Sequence, residues 1–138
     1  MVFFKKLLSL LLFISVSIWF AAGIFDFISL LDNVGEVSKI KVSGYMNNTS
    51  SFVLFGFFLP TIPMTIISIA SGLQLPKLTF RLMIIGGITF AIIGHYFDSS
   101  LREKIINNNY IECKEKRELS LKYSSRTYAL SPEICLPK

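Results

Sequence analysis

Three long apolar stretches, separated by short polar ones, dominate the pattern of hydrophobic and polar positions along the chain. No charged residue lies in residues 7–25 or in residues 42–76, and a third apolar stretch covers residues 78–97. At a rise of about 1.5 Å per residue, a helix of about twenty residues matches the roughly 30 Å hydrocarbon core of a bilayer. The pattern therefore predicts an all-α membrane protein with three transmembrane helices. Their predicted spans are about 7–27, 52–73 and 78–97.

The first apolar stretch has two interpretations, a retained anchor or a cleaved secretory signal. Lys5 and Lys6 before an apolar run fit both. The run is longer than the apolar region of an ordinary signal peptide. Ala21-Ala22-Gly23 is a poor cleavage site, since Phe20 precedes it and apolar residues follow it. These features favour a retained first helix.

The second and third spans carry signals of bending and of packing. Pro60 and Pro63 lie within the second span, and proline removes a helical hydrogen bond, so we predict that this helix is kinked. Gly87, Ala91 and Gly94 follow helical spacing in the third span. Such small-residue stripes let helix backbones approach closely, so they form a candidate packing face. The alternative is chance, because small residues are common in membrane helices.

The predicted domains are a transmembrane domain, residues 1–97, and a polar C-terminal tail, residues 98–138. The start of the tail has helical spacing, with Leu101 and Ile105 on one face, which fits a short helix at the membrane interface.

The two cysteines, Cys113 and Cys135, both lie in this tail. A metal site would need three or four ligands at characteristic spacings, and a nucleophilic cysteine would need a base. The tail contains neither a histidine nor a CxxC motif, which favours a disulfide over both alternatives. Closing this loop would stabilise a small disulfide-closed tail by roughly 3 kcal/mol in the chain-entropy model.

Three ionisable residues lie near the ends of predicted spans. Asp26 is near the end of the first, and His95 and Asp98 are near the end of the third, so a three-span bundle places them on one side. Ionisable groups within a membrane often mark a functional site, but at the membrane interface their free-energy cost is small. We interpret them as an interfacial polar cluster, with a proton or ion site as the alternative.

Composition and charge narrow the class of protein. Hydrophobic residues make up 52% of the chain, and the mean hydropathy is +0.59. The net charge of +5 comes from basic residues that flank the spans and from a tail that also contains acids, so it indicates a membrane surface and no nucleic-acid partner. There is a single histidine and no phosphate-binding loop, nucleophile elbow or zinc-protease motif. We therefore expect no enzyme, no metal and no cofactor, with the lipid bilayer as the first partner.

The signals for orientation disagree. Counting basic residues favours a cytoplasmic tail, since most of them lie after the third span or near Lys39 and Lys41. Lys5 and Lys6 directly before the first helix favour a cytoplasmic N-terminus, and a cysteine pair favours an oxidising compartment. We choose a bacterial inner-membrane protein with a cytoplasmic N-terminus and a periplasmic tail.

The tail resembles the ending of a known family. Tyr110-Ile111-Glu112-Cys113, a serine-containing stretch, Tyr128-Ala129 and a final Cys135 are similar to the C-terminal segment of small enterobacterial inner-membrane proteins catalogued as a domain of unknown function. Many members of that family carry glycine before the tyrosine, where this chain has Asn109.

The resemblance implies a function, because proteins of this kind often occur beside toxin genes used in competition between bacteria. It implies an immunity protein against a toxin that acts in the periplasm or the membrane. The tail, or residues 47–51, would then bind the toxin. The alternative is an accessory or regulatory subunit of a larger membrane complex, bound through the Gly87-Ala91-Gly94 stripe. An ion pathway through Asp26 and His95 is the third interpretation.

Overall fold

The computed structural model describes residues 2–73, 76–120 and 124–135, and these residues are mostly helical. Three helical segments among them are long and apolar enough to cross a membrane, which confirms the predicted transmembrane architecture. The helices are α1 (Val2–Asn33), α2 (Tyr45–Phe58), α3 (Thr61–Ser71) and α4 (Pro76–Asn107). The strands are β1 (Lys39–Ser43), β2 (Ile111–Glu112), β3 (Glu118–Leu119) and β4 (Ser124–Ala129). Two 3₁₀ turns, Lys114–Lys116 and Pro132–Cys135, complete the C-terminal part.

The second membrane-capable segment is broken at Pro60, which confirms the predicted kink. The Leu59 amide still donates to the Phe55 carbonyl at 2.9 Å, but Pro60 has no N–H for the next helical bond. A new helix, α3, then begins, with the Met64 amide donating to the Pro60 carbonyl at 3.4 Å. Pro63 lies in the first turn of α3, where a missing N–H costs nothing.

The chain divides into two compact units. The first, here called the helical unit, contains Met1–Ile24 and Ser50–Gly94, and the second, the mixed unit, contains Phe25–Thr49 and His95–Lys138. Helices α1, α2 and α4 therefore each contribute residues to both units. This division differs from the predicted domains 1–97 and 98–138, because Phe25–Thr49 belongs with the tail.

Within the helical unit, α2 and α4 meet at two glycines. A Cβ added to Gly86 would lie 2.2 Å from the Gly56 carbonyl oxygen, and one added to Gly56 would lie 2.5 Å from the Gly86 carbonyl oxygen. Only glycine allows backbones this close. On the other side of α2, Phe58 stacks against Phe13 and Phe20 of α1, with ring centroids 6.4 and 6.3 Å apart.

The mixed unit contains a small antiparallel sheet. The alternation of Leu119, Leu121 and Tyr123 with polar residues predicts only one short strand of it, and residues 121–123 lie outside the described residues. Strand β4 is central, with β1 on one edge and both β2 and β3 on the other. Lys39 pairs with Ala129 and Ser43 with Ser125, so the segment after α1 is an edge strand. Residues 32–51 have the composition of a loop, but α1 extends to Asn33, β1 begins at Lys39 and α2 begins at Tyr45.

The core of the mixed unit explains why α4 does not end at the predicted tail boundary. Leu101 and Ile105 are 0% and 3% exposed, so the residues predicted as a separate interfacial helix are the buried end of α4. Among the described residues of this unit, the buried apolar ones are Phe27, Leu31, Val34, Ile40, Val42, Leu101, Ile105, Tyr110, Cys113 and Ala129.

Candidate functional site

A cavity of about 280 Å³ lies between strand and helix residues of the mixed unit. It is here called the arginine cleft. Its lining residues are Val42, Ser43, Gly44, Tyr45, Arg102, Ser124, Arg126 and Tyr128. The strand register pairs Val42 with Arg126, and cross-strand partners project from the same sheet face. Two guanidinium groups and two phenol rings therefore line one small cleft.

Arg102 is fixed at the cleft wall by a buried carboxylate. Asp98 is 1% exposed, and its Oδ2 accepts a hydrogen bond from Arg102 Nε at 2.6 Å. Asp98 Oδ1 accepts from Asn48 Nδ2 at 2.8 Å, and Asn48 Nδ2 also lies 3.2 Å from the Ser43 carbonyl. Because a buried charge is costly unless it is paired, this network holds α4, the first turn of α2 and the end of β1 together.

Arg126 is held much more weakly. Its Nη1 lies 3.8 Å from Glu112 Oε2, beyond hydrogen-bond distance, and its side chain is 48% exposed. Glu112 Oε1 instead accepts from both Nε and Nη2 of Arg117, at 3.0 and 2.6 Å. Arg126 is therefore the cation of the cleft that can bind an external carboxylate without breaking an internal hydrogen bond to Glu112.

The structure places Asp26, His95 and Asp98 in three different surroundings. Asp98 is buried against Asn48 and Arg102. His95 is exposed, and its Nδ1 is hydrogen-bonded to the Tyr45 hydroxyl at 3.2 Å. Asp26 is exposed on α1, and no hydrogen bond or ion pair joins these three residues to one another in the described parts of the chain.

The predicted stripe of small residues faces α2. A Cβ on Gly94 would lie 2.9 Å from Phe52 Cβ, and one on Gly87 would lie 3.6 Å from Phe57 Cδ2. Ala91, between them, is partly buried. Sequence spacing missed Gly86, where the approach of the two helices is tighter than at either predicted glycine.

Cys113 and Cys135 form a disulfide with their Cα atoms 5.3 Å apart, which confirms the predicted pairing. Cys113 follows β2, and its amide donates to the Thr127 carbonyl of β4 at 2.8 Å. The bond therefore joins the sheet to the Pro132–Cys135 turn. Within the described residues, no group of three or more His, Cys, Asp or Glu side chains is placed to hold a metal ion.

Charged side chains also connect the strands on the sheet face opposite to Arg126. Lys41 Nζ and Ser125 Oγ donate to Glu118 Oε2 at 2.8 and 3.1 Å, and these bonds lower the pKa of Glu118. Desolvation and the neighbouring Lys39 lower the pKa of Lys116, while Glu115 acts in the opposite direction. Lys41 lies on β1 and Glu118 on β3, so this ion pair spans the central strand.

Sequence reasoning missed the cleft because its residues come from distant parts of the chain. Asn48 lies in a run of polar residues that is typical of a loop, yet the structure places it in the first turn of α2. Arg126 gains its position only when β4 pairs with β1, and nothing local in the sequence specifies that pairing. No family model, curated protein or solved structure matches this chain.

Proposed function

We propose that this chain is a non-enzymatic membrane protein that protects the cell making it from a protein toxin acting in the periplasm or the inner membrane. The arginine cleft, on a sheet closed by a disulfide and attached to membrane-capable helices, is the observation that carries this proposal. The resemblance of the tail to proteins encoded beside toxin genes agrees with it.

The cleft suits recognition of an acidic protein surface. Arginine and tyrosine are enriched among the residues that dominate binding energy at protein interfaces, and the cleft contains two of each. Arg102 is preorganised by Asp98, which lowers the entropy cost of binding. Arg126 is exposed and can form a bidentate pair with a carboxylate of the toxin.

The orientation that serves this function puts the N-terminus in the cytoplasm and the mixed unit in the periplasm. The disulfide supports it, since disulfides persist in oxidising compartments. A membrane-impermeant maleimide, applied after reduction to cells with only the outer membrane permeabilised, is expected to label Cys135. Labelling that needs inner-membrane permeabilisation would reverse this orientation.

The alternative, an accessory subunit bound through the Gly87-Ala91-Gly94 stripe, has less support. Gly87 and Gly94 lie against Phe57 and Phe52 of the same chain, so that part of the stripe has an internal partner.

The test is protection of a deletion strain grown beside toxin-producing siblings. The wild-type gene should restore survival, and Arg126→Glu should weaken toxin binding by about thirtyfold or more, as expected for a dominant interface residue. Arg102 is unsuitable for this test because its loss would leave Asp98 buried without its cation.

Lys114→Glu is the matched control. It makes the same change of charge at an exposed residue of the mixed unit that does not line the cleft. Survival of the deletion strain without the gene would end the immunity proposal, and equal loss for both variants would remove the cleft as the binding surface.

A further inference from the structure

A second and larger cavity, of about 550 Å³, lies within the helical unit. It is formed by the N-terminal part of α1, the middle of α3 and the first turns of α4. Lys5 and Lys6 contribute its cationic side, and Met64, Phe80 and Met83 contribute apolar side chains. This volume falls within the range of cavities that bind one small molecule.

The charge of this unit is unbalanced. Its basic residues are Lys5, Lys6, Lys77 and Arg81, and it contains no aspartate or glutamate. The lysines of the cavity therefore have no carboxylate partner within their own unit. An anionic ligand in the cavity would therefore meet these ammonium groups without competition from a carboxylate of the same unit.

The position of Lys6 is set by one hydrogen bond. Its Nζ donates to the Ser68 carbonyl at 2.8 Å, near the end of α3. An ammonium group has three donors, and within the described residues the Ser68 carbonyl takes one of them. Lys5 is exposed at the same cavity and adds a second ammonium.

The apolar side chains of the cavity favour an anion that also carries an apolar group. Met64 is buried, whereas the side chain of Phe80 is 57% exposed. The exposed ring gives the cavity an apolar surface that a ligand can cover. A free phosphate would leave this surface uncovered. A phospholipid would cover it with an acyl chain and place its phosphate at the lysines.

We propose that this cavity binds one anionic phospholipid, with the phosphate held by Lys5 and Lys6 and an acyl chain against Met64, Phe80 and Met83. This site is independent of the arginine cleft, and its occupant comes from the bilayer.

The test is native mass spectrometry of the full-length protein in detergent, titrated with phosphatidylglycerol or phosphatidylcholine. A single phosphatidylglycerol should bind more tightly than phosphatidylcholine, and K5Q/K6Q should weaken phosphatidylglycerol binding by about 30-fold. The matched control, K77Q/R81Q, removes the same charge from the same unit at positions that do not line the cavity, and should bind like the wild type.

A second variant tests the acyl chain. Met83→Trp should weaken phosphatidylglycerol binding while both lysines remain, because the indole occupies the apolar part of the cavity. Equal losses for K5Q/K6Q and K77Q/R81Q, equal binding of the two lipids, or full binding by Met83→Trp would each overturn the proposal.

Discussion

At the end of α4, a single asparagine reverses the direction of the chain. Asn109 has φ 58°, the left-handed conformation. The Asn109 amide donates to the Ile106 carbonyl at 3.0 Å and the Tyr110 amide to the Ile105 carbonyl at 3.2 Å, the two bonds of a Schellman motif. Glycine and asparagine adopt this conformation most readily.

Replacing Asn109 by a β-branched residue should destabilise the mixed unit. We expect Asn109→Val to cost about 1–2 kcal/mol, since left-handed backbone is disfavoured by that amount for ordinary residues, and Asn109→Gly to be neutral or stabilising. Thermal unfolding in detergent measures both. Asn107→Val, in the last helical position of α4, is the control. A similar loss at both sites would contradict the role of the turn.

The next residue, Tyr110, is fixed by its hydroxyl. This group accepts a hydrogen bond from the Gly35 amide at 3.1 Å and donates to the Val37 carbonyl. Tyr110→Phe should therefore destabilise the protein by about 1–3 kcal/mol, the cost of leaving buried polar groups unpaired. Tyr96→Phe removes a hydroxyl from a side chain that is 70% exposed and should change the melting temperature little. Equal melting temperatures for wild type and Tyr110→Phe would show that water replaces the hydroxyl.

At the scale of elements, adjacent glycines of α4 should respond differently to the same substitution. Gly86→Ala places a methyl group 2.2 Å from the Gly56 carbonyl oxygen, whereas the nearest atom to the new methyl of Gly87→Ala lies at 3.6 Å, an ordinary contact. Because backbone cannot move aside as a side chain can, we expect Gly86→Ala to cost about 1–3 kcal/mol and Gly87→Ala less than about 1 kcal/mol. Thermal unfolding of the two variants in one detergent compares them directly. Equal losses would mean that α2 and α4 are farther apart in solution.

The elements differ in how far the sequence could predict them. Pro60 breaks a helix through its own covalent structure, so its effect could be predicted locally. Strand β1 was missed although Lys39-Ile40-Lys41-Val42 alternates, because so short an alternation is not distinctive. Its strand identity depends on pairing with β4, whose residues lie far along the chain. Gly86 was missed for a similar reason, since its close contact is with Gly56 on another helix.

At the scale of the whole molecule, the three membrane-capable helices could be predicted because their signal accumulates over many residues. The two units could not, because their boundaries fall inside continuous helices, at residues 24–25, 49–50 and 94–95. The predicted span ends, at about residues 27, 52 and 97, lie within three residues of these points, but hydropathy does not indicate that residues 25–49 fold with the tail. The arginine cleft could not be predicted from the sequence either, since Tyr45, Arg102 and Arg126 come together only through tertiary folding.

Loss of the disulfide should affect the two units differently, because both cysteines lie in the mixed unit and the helical unit contains no cysteine. Cys135→Ala should lower the stability of the mixed unit by roughly 3 kcal/mol in the chain-entropy model. Cleavage by trypsin at Lys114 and Lys116 should then be faster, since the segment that follows Cys113 is no longer joined to the Pro132–Cys135 turn. The helical circular-dichroism signal should change little, because the long helices do not depend on this bond.

Reduction provides the control within the same experiment. A reducing agent should bring the wild type to the cleavage rate of Cys135→Ala and should leave Cys135→Ala unchanged, since both treatments remove the same bond. If the reduced wild type resists trypsin as well as the oxidised protein does, the sheet is held by its core and by the Asp98 network without the disulfide. Loss of the helical signal in either case would mean that the mixed unit also supports the membrane-capable helices.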